Sequence, residues 1–442
     1  MMTIVLGLFF GYMLIRGLVN PFVGMIGLLA VTMINPGELS DILAQLRMEK
    51  LFLVIVVISW FVHEKIVIPP ISRKLLLFFI WLCLGIPFAF WPGGAFDWIT
   101  YFVMTVIYHL MIINLVNDKE RFRIMITSYV ALIGWIAGGS IYGYLTGQVA
   151  AGGLLHGMSR AQGLTSSAND PNSLGIRLVT AMPLMALLIA DGTKKQKMLA
   201  FLVLGMSVTA VMLTGSRGSF ASMVILAGMF VFTRKNGLLY VPVLAIVFVL
   251  TWALVPDNVK ERYTTLVDVV KNAELDEAAL ARKYSRIAGW NMFLDHPIMG
   301  VGAGCFKYAS GSEYWPGKGR KKWLQAHNLY IQLLADTGIV GTVLWLMFFT
   351  TLIKITLRLK RLLAPRDDVE GIFKHYPTAC LFAITVMLIN GWSTHSLYTG
   401  AWYILSALSG TLYYQIFAKE ANAGQEVRSL AVEAPEPAVA QP

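Results

Sequence analysis

"VMLTGSRGSFASMV", residues 211–224, holds the fold in miniature: an apolar run, a short turn with a single arginine, and a second apolar run. The runs extend over about 198–214 and 218–233, and each approaches the roughly 20 apolar residues that an α-helix needs to cross a bilayer. The turn "TGSRG" at 214–218 is too short to do more than send the chain straight back. This stretch therefore predicts two membrane helices joined by a polar tip. Arg217 stands at that tip, close to the membrane boundary.

The pattern recurs along the chain. Apolar segments fall at about 2–16, 20–34, 51–63, 75–90, 98–116, 122–146, 173–190, 198–214, 218–233, 238–255, 329–353, 376–390 and 398–417. They give 12 or 13 crossings, because only "RGLVN" separates the first two. Of 442 residues, 57% are hydrophobic and 14% charged, with a mean hydropathy of +0.64, whereas soluble chains are nearer a quarter charged. The expected fold is an all-α polytopic membrane protein of about 12 transmembrane helices with one long helical periplasmic loop. The basic connections "EKIVIPPISRK", "NDKERFR", "DGTKKQK", "TRKNG" and "KITLRLKRLLAPRDD" belong on the cytoplasmic face, where Lys and Arg accumulate. They alternate with connections at 35–50, 91–97, 147–172, 214–218, 257–328 and 391–397 on the opposite face. The net charge of +11 thus reports topology and not a nucleic-acid partner. With the C-terminus on the basic face, 13 crossings put the N-terminus outside and 12 put it inside. The opening "MTIVLGLFFGYMLI" lacks a basic leader and a small-x-small cleavage site, and reads as a retained span. The expected divisions are transmembrane helices over 1–256, the loop over 257–328, the C-terminal transmembrane helices over 329–418, and a disordered cytoplasmic tail over 419–442, rich in Ala, Pro and Glu.

The long loop contains 11 Lys or Arg and 8 Asp or Glu, which long translocated loops tolerate. Within it "DEAALARKYSRIAGWNMFLDH" has helical spacing: Arg282 and Arg286 are four apart, and Trp290 and Phe293 continue their face. Pro297 and "GVGAG" at 300–304 end that helix. The glycines precede no Lys-Ser/Thr pair and follow a helix, not a strand, so they make a tight turn and not a phosphate loop. Cys83, Cys305 and Cys380 are far apart, and there is no HExxH and no outer-face Asp-x-Asp. Nothing here requires a metal or a cofactor.

Four residues have chemistry to offer. An arginine at the centre of a span costs roughly 2.5 to 3.5 kcal/mol; Arg217 at a tip is either an ordinary snorkelling helix end or a fixed cation for a lipid phosphate, since guanidinium stays charged and binds oxygens bidentately. Arg160, in "GMSRAQGLTSSANDPNSLG", reads by itself as a solvated loop arginine. Arg286 shares a face with Trp290, a good interfacial anchor. His327 opens "AHNLYIQLLADTGIVG", where the loop re-enters the membrane. It is either a capping residue or an imidazole with a pKa near 6.5 that takes a proton from a hydroxyl. Arginines to hold a departing phosphate and a base to activate a hydroxyl make a glycosyl- or phosphoryl-transfer site. The run "GKGRKK" at 317–322 is a solvated loop or an attractor of an anionic acceptor. A transporter or flippase for lipid-linked sugars would also line a cavity with arginine, but mid-span segments here are almost free of charge. A structural scaffold leaves the arginines and the histidine unexplained.

The order "SRIAGWNMFLDHPIMGVGAGCF" followed by "AHNLYIQLLADTGIVGTVLWL", with "GSRG" and "RAQGLTSSANDPNSLG" upstream, resembles the signature region of the O-antigen ligase and O-antigen polymerase superfamily of bacterial membrane glycosyltransferases, and most of all an O-antigen ligase. The resemblance spans about residues 155–350. It implies an inner-membrane, multi-pass enzyme with its site facing the periplasm, and a glycan taken from undecaprenyl pyrophosphate without metal, cofactor or nucleotide sugar. The implied partners are that lipid-linked donor, a lipid A-core acceptor and membrane lipids, with no nucleic acid. A polymerase would extend another lipid-linked chain, and other ligases serve a protein or an exopolysaccharide. Carried over by motif, Arg217 and Arg286 bind the pyrophosphate, with Arg160 as a further ligand. His327 serves the acceptor as base, with inversion at the anomeric carbon; Trp290 and Asn328 position these groups. The expected arrangement has Arg286 facing Arg217 and His327 across one outward-facing cavity.

Overall fold

The computed structural model describes residues 2–147, 154–155, 158–163, 170–233, 236–257, 259–261, 263, 277–317 and 321–417. Counting helices of ten or more residues among them, α1 is Met2–Val19, α2 Pro21–Ile34, α3 Met48–His63, α4 Pro70–Leu84, α5 Pro92–Leu115, α6 Lys119–Thr146, α7 Pro171–Asp191 and α8 Lys194–Leu213. Then come α9 Arg217–Thr233, α10 Val241–Leu254, α11 Glu277–Asp295, α12 Leu329–Leu363, α13 Gly371–Asn390 and α14 Gly400–Gly410. Two-residue strands, Leu154–Leu155 and Met158–Ser159, pair antiparallel. Every apolar segment read from the sequence coincides with a helix. Six of these helices (α5, α6, α7, α8, α12 and α13) are long and apolar enough to cross a membrane. Helices suit that solvent because each satisfies its own backbone. The tail over 419–442 and residues 318–320 of "GKGRKK" lie outside the described residues, as do 264–276 of the long loop.

In lipid, helices associate by close packing between small residues. α7 lies along α13 and α8, and α8 along α6. Gly175 of α7 meets α9 so closely that a Cβ there would come 2.5 Å from Ser219 Oγ. Buried polar groups within the spans are held by neighbours. His109 of α5 contacts Ser72 and Ser406 hydroxyls, each at 3.0 Å, and Asp336 of α12 accepts from the Tyr398 hydroxyl at 3.3 Å.

The sequence reads 329–353 as one apolar run, but α12 breaks at Gly338, where φ is 63° and ψ −171°. The loop after α11 repairs the break. Val301 N donates to Ala335 O at 2.8 Å, Gly302 N to Asp336 O at 3.1 Å, and Ile339 N to Pro297 O at 2.8 Å. The Trp81 indole donates to Thr337 O at 3.1 Å. Interrupted backbone at membrane depth is tolerated where protein supplies such partners. Gly300, Gly302 and Gly304 all have positive φ, so "GVGAG" is the expected turn, and it is also the segment that clips onto the broken helix.

Candidate active site

The turn "TGSRG" ends α8 and starts α9. Gly215 takes φ 57°, and Ser216 caps α9 by accepting from Ser219 N at 3.4 Å. Arg217 is thereby the first residue of α9, half-buried. Gly218 allows the turn to approach the connection after α13: a Cβ there would lie 3.1 Å from Ser393 Oγ. Arg217, the start of α9, Asn172 of α7, Asn390 of α13, Ser393, Thr394 and Arg282 of α11 together line one cavity. Two guanidinium groups and hydroxyls on a helix start suit an oxyanion.

Of the two arginines on α11, Arg282 lines the cavity and Arg286, one turn later, is exposed and does not. The expected face-to-face of Arg286 with Arg217 is therefore made by Arg282. α11 docks on the first arm of α12 through buried Ser285, Ala288 and Met292. Gly289 lies hard against Ile331 and Phe306. Trp290 is 47% exposed on the other side, with its ring 5.6 Å from Phe293, and it is not part of the cavity wall.

Arg160 is not solvated. It is 3% exposed; its Nε donates to Thr214 O at 2.7 Å and a terminal nitrogen to Asn172 Oδ1 at 3.2 Å, while Ala161 N donates to Leu213 O at 3.0 Å. It braces the turn that carries Arg217 and does not itself line the cavity.

His327 is half-buried with φ 45°, a strained backbone for a non-glycine residue. Asn328 follows as the cap of α12, accepting from Ile331 N at 2.9 Å and donating to Trp392 O at 3.3 Å. Leu329 N donates to Gly391 O at 2.7 Å. The start of α12 is thus stitched to the end of α13. Burial lowers the His327 pKa, the nearby Arg282 cation lowers it further, and Asp170, which caps α7, opposes both. A neutral imidazole at neutral pH follows, as a base requires. The His395 ring meets it edge-on with centroids 5.3 Å apart. Among the described residues no group of three His, Cys, Asp or Glu converges to hold a metal.

Sequence reasoning missed Arg282, Asp170 and the 391–397 turn. The i, i+4 spacing to Arg286 was a signal for the first. The turn carries none beyond its expected place on the face opposite the basic connections.

Compared with known proteins, residues 200–346 match the O-antigen ligase family. The match takes in Arg217, Arg282, Arg286, Trp290 and His327, and stops short of Arg160 and the 391–397 turn. No curated protein matches the chain.

Proposed function

Residues 200–346 carry the O-antigen ligase resemblance, and from that premise we propose that this helical membrane protein is an inverting glycosyltransferase moving a glycan from undecaprenyl pyrophosphate to lipid A-core. About twelve spans set it in the bacterial inner membrane, and the 257–328 loop and the cavity face the periplasm. The observation that carries the reading is the cavity that Arg217 and Arg282 line together; His327 is not part of its wall but stands near enough for the Arg282 charge to add to the lowering of its pKa by burial.

The pyrophosphate sits between Arg217 and Arg282, with Arg286 at the rim. His327 takes the proton of an acceptor hydroxyl while that oxygen attacks the anomeric carbon from the face opposite the leaving group. The anomeric C–O bond breaks and its electron pair leaves on the pyrophosphate, where the arginines offset the growing charge. His327 then returns its proton to solvent. No step uses a metal or a cofactor. Arg160 serves by holding the turn, and Asn328 by fixing the backbone beside the base.

The test mixes purified protein with undecaprenyl pyrophosphate-linked glycan and lipid A-core, and resolves the products on a gel. Transfer to lipid A-core identifies a ligase, growth of the lipid-linked chain alone a polymerase, and neither product sinks the reading. His327→Ala should lose about 10²- to 10⁴-fold in rate and Arg217→Lys about 10²-fold, both at normal expression. Full activity in either variant would remove that residue from the mechanism.

A further inference from the structure

The turn over 391–397 is held from every side. Besides the bonds from Leu329 and Asn328, Ser396 O accepts from the Trp402 indole at 3.1 Å. Leu397 N donates to Gln332 at 3.2 Å, and Leu397 O accepts from the Tyr403 hydroxyl at 2.7 Å. All these bonds use the turn's backbone. His395 is thus carried to a fixed place while its side chain takes no part in holding it.

Neither ring nitrogen of His395 has a hydrogen-bond partner among the described residues; Nδ1 is sealed from solvent and Nε2 is not. Orphaned buried N–H donors are rarer and costlier than under-used acceptors. The proton therefore belongs on Nε2, the nitrogen a ligand can reach. Burial holds the His395 pKa down to about 4, with His327 adding to the shift and Asp170 opposing it.

We propose that His395 is a specificity-determining residue for the acceptor: Nε2–H donates to a second oxygen of the acceptor molecule while His327 takes the proton of the attacking hydroxyl. This rests on the glycosyl-transfer reading. The edge-on contact puts His395 on the His327 side of the site, whereas Ser393 and Thr394 of the same turn line the arginine cavity. An uncharged single donor suits a sugar oxygen; the pyrophosphate is better matched by guanidinium. A polyhydroxylated sugar suits a grip at two oxygens. A ring carrying several hydroxyls offers that second oxygen at a fixed distance from the attacking one, so the acceptor is assigned to carbohydrate.

The test is steady-state transfer by the full chain in proteoliposomes, with undecaprenyl pyrophosphate-linked glycan as donor and lipid A-core as acceptor, each varied in turn. Should the wild type use only the lipid-linked glycan as acceptor, that glycan takes its place. His395→Ala should raise the acceptor KM at least tenfold and leave the donor KM unchanged. His395→Gln, whose amide reaches the place of Nε2, should keep most of the acceptor affinity; His395→Asn, whose amide stands nearer Nδ1, should not. An unchanged acceptor KM in His395→Ala, or equal losses in His395→Gln and His395→Asn, overturns the assignment, and the Gln–Asn pair decides alone if the alanine variant fails to accumulate. Absence of any transfer by the wild type overturns the glycosyl-transfer reading itself, and this assignment with it.

Discussion

Arg282 and Arg286 stand one helical turn apart, and the docking of α11 decides which of them reaches the cavity. Their spacing was legible as one face of a helix; the depth of that face was not, because it depends on Gly289 seating against Ile331 and Phe306, residues distant in sequence. Arg217 and His327 stood out in the sequence because each is a polar residue just where an apolar run begins. His395 was hidden, since a lone histidine in a short turn resembles any other. The arginines should separate in a pH profile. Burial first and the Arg282 charge second hold the His327 pKa below its ordinary value, so Arg282→Gln lets it rise in part, the neutral base is lost at a higher pH, and the acid limb of kcat/KM moves upward. Arg286→Gln should leave the limb in place. Rates measured from about pH 4.5 to 8 check this, and an unmoved limb in Arg282→Gln would mean that its charge is not felt at the base.

At the scale of the element, the decisive feature is the interruption of α12. Of the two glycines in that apolar run, Gly338 and Gly341, nothing marks the first as a break, whereas the glycine cluster over 300–304 was readable as a turn by its density. What sequence could not give was that the two are halves of one structure, joined through Val301, Gly302 and Pro297. Gly338 occupies a region of backbone space that is essentially glycine's own, and a Cβ there would collide with Ile298 O. Gly338→Ala should therefore cost about 1 to 3 kcal/mol, read as a lower midpoint of thermal unfolding in detergent. Gly7→Ala, within a helix and with open space around it, should be neutral or slightly stabilising. Equal midpoints for the two variants would show that the break is not a constraint on the fold.

For the whole molecule, the helices were legible because an apolar solvent forces each segment to satisfy its own backbone. The number of crossings was less so: α1, α2 and α9 are apolar but short, and length is what counts a span. Sidedness is testable with one cysteine at a time. Cys305 and Cys380 are buried, so only Cys83 needs replacing. A membrane-impermeant maleimide should label Trp392→Cys in intact spheroplasts, and Lys194→Cys only after permeabilisation. The reverse pattern would turn the proposed topology inside out.

Arg160 has an electrostatic consequence. Aligned peptide dipoles leave about half a positive charge at a helix start and half a negative charge at its end. Since α8 ends where α9 begins, those two poles would cancel across the turn. A buried guanidinium bonded to Thr214 O and the Ala161 amide bonded to Leu213 O sit on the negative pole and quench it. The positive pole of α9 then acts on the cavity without that opposing charge, so Arg160 lends its charge to the site through the field and never has to enter it.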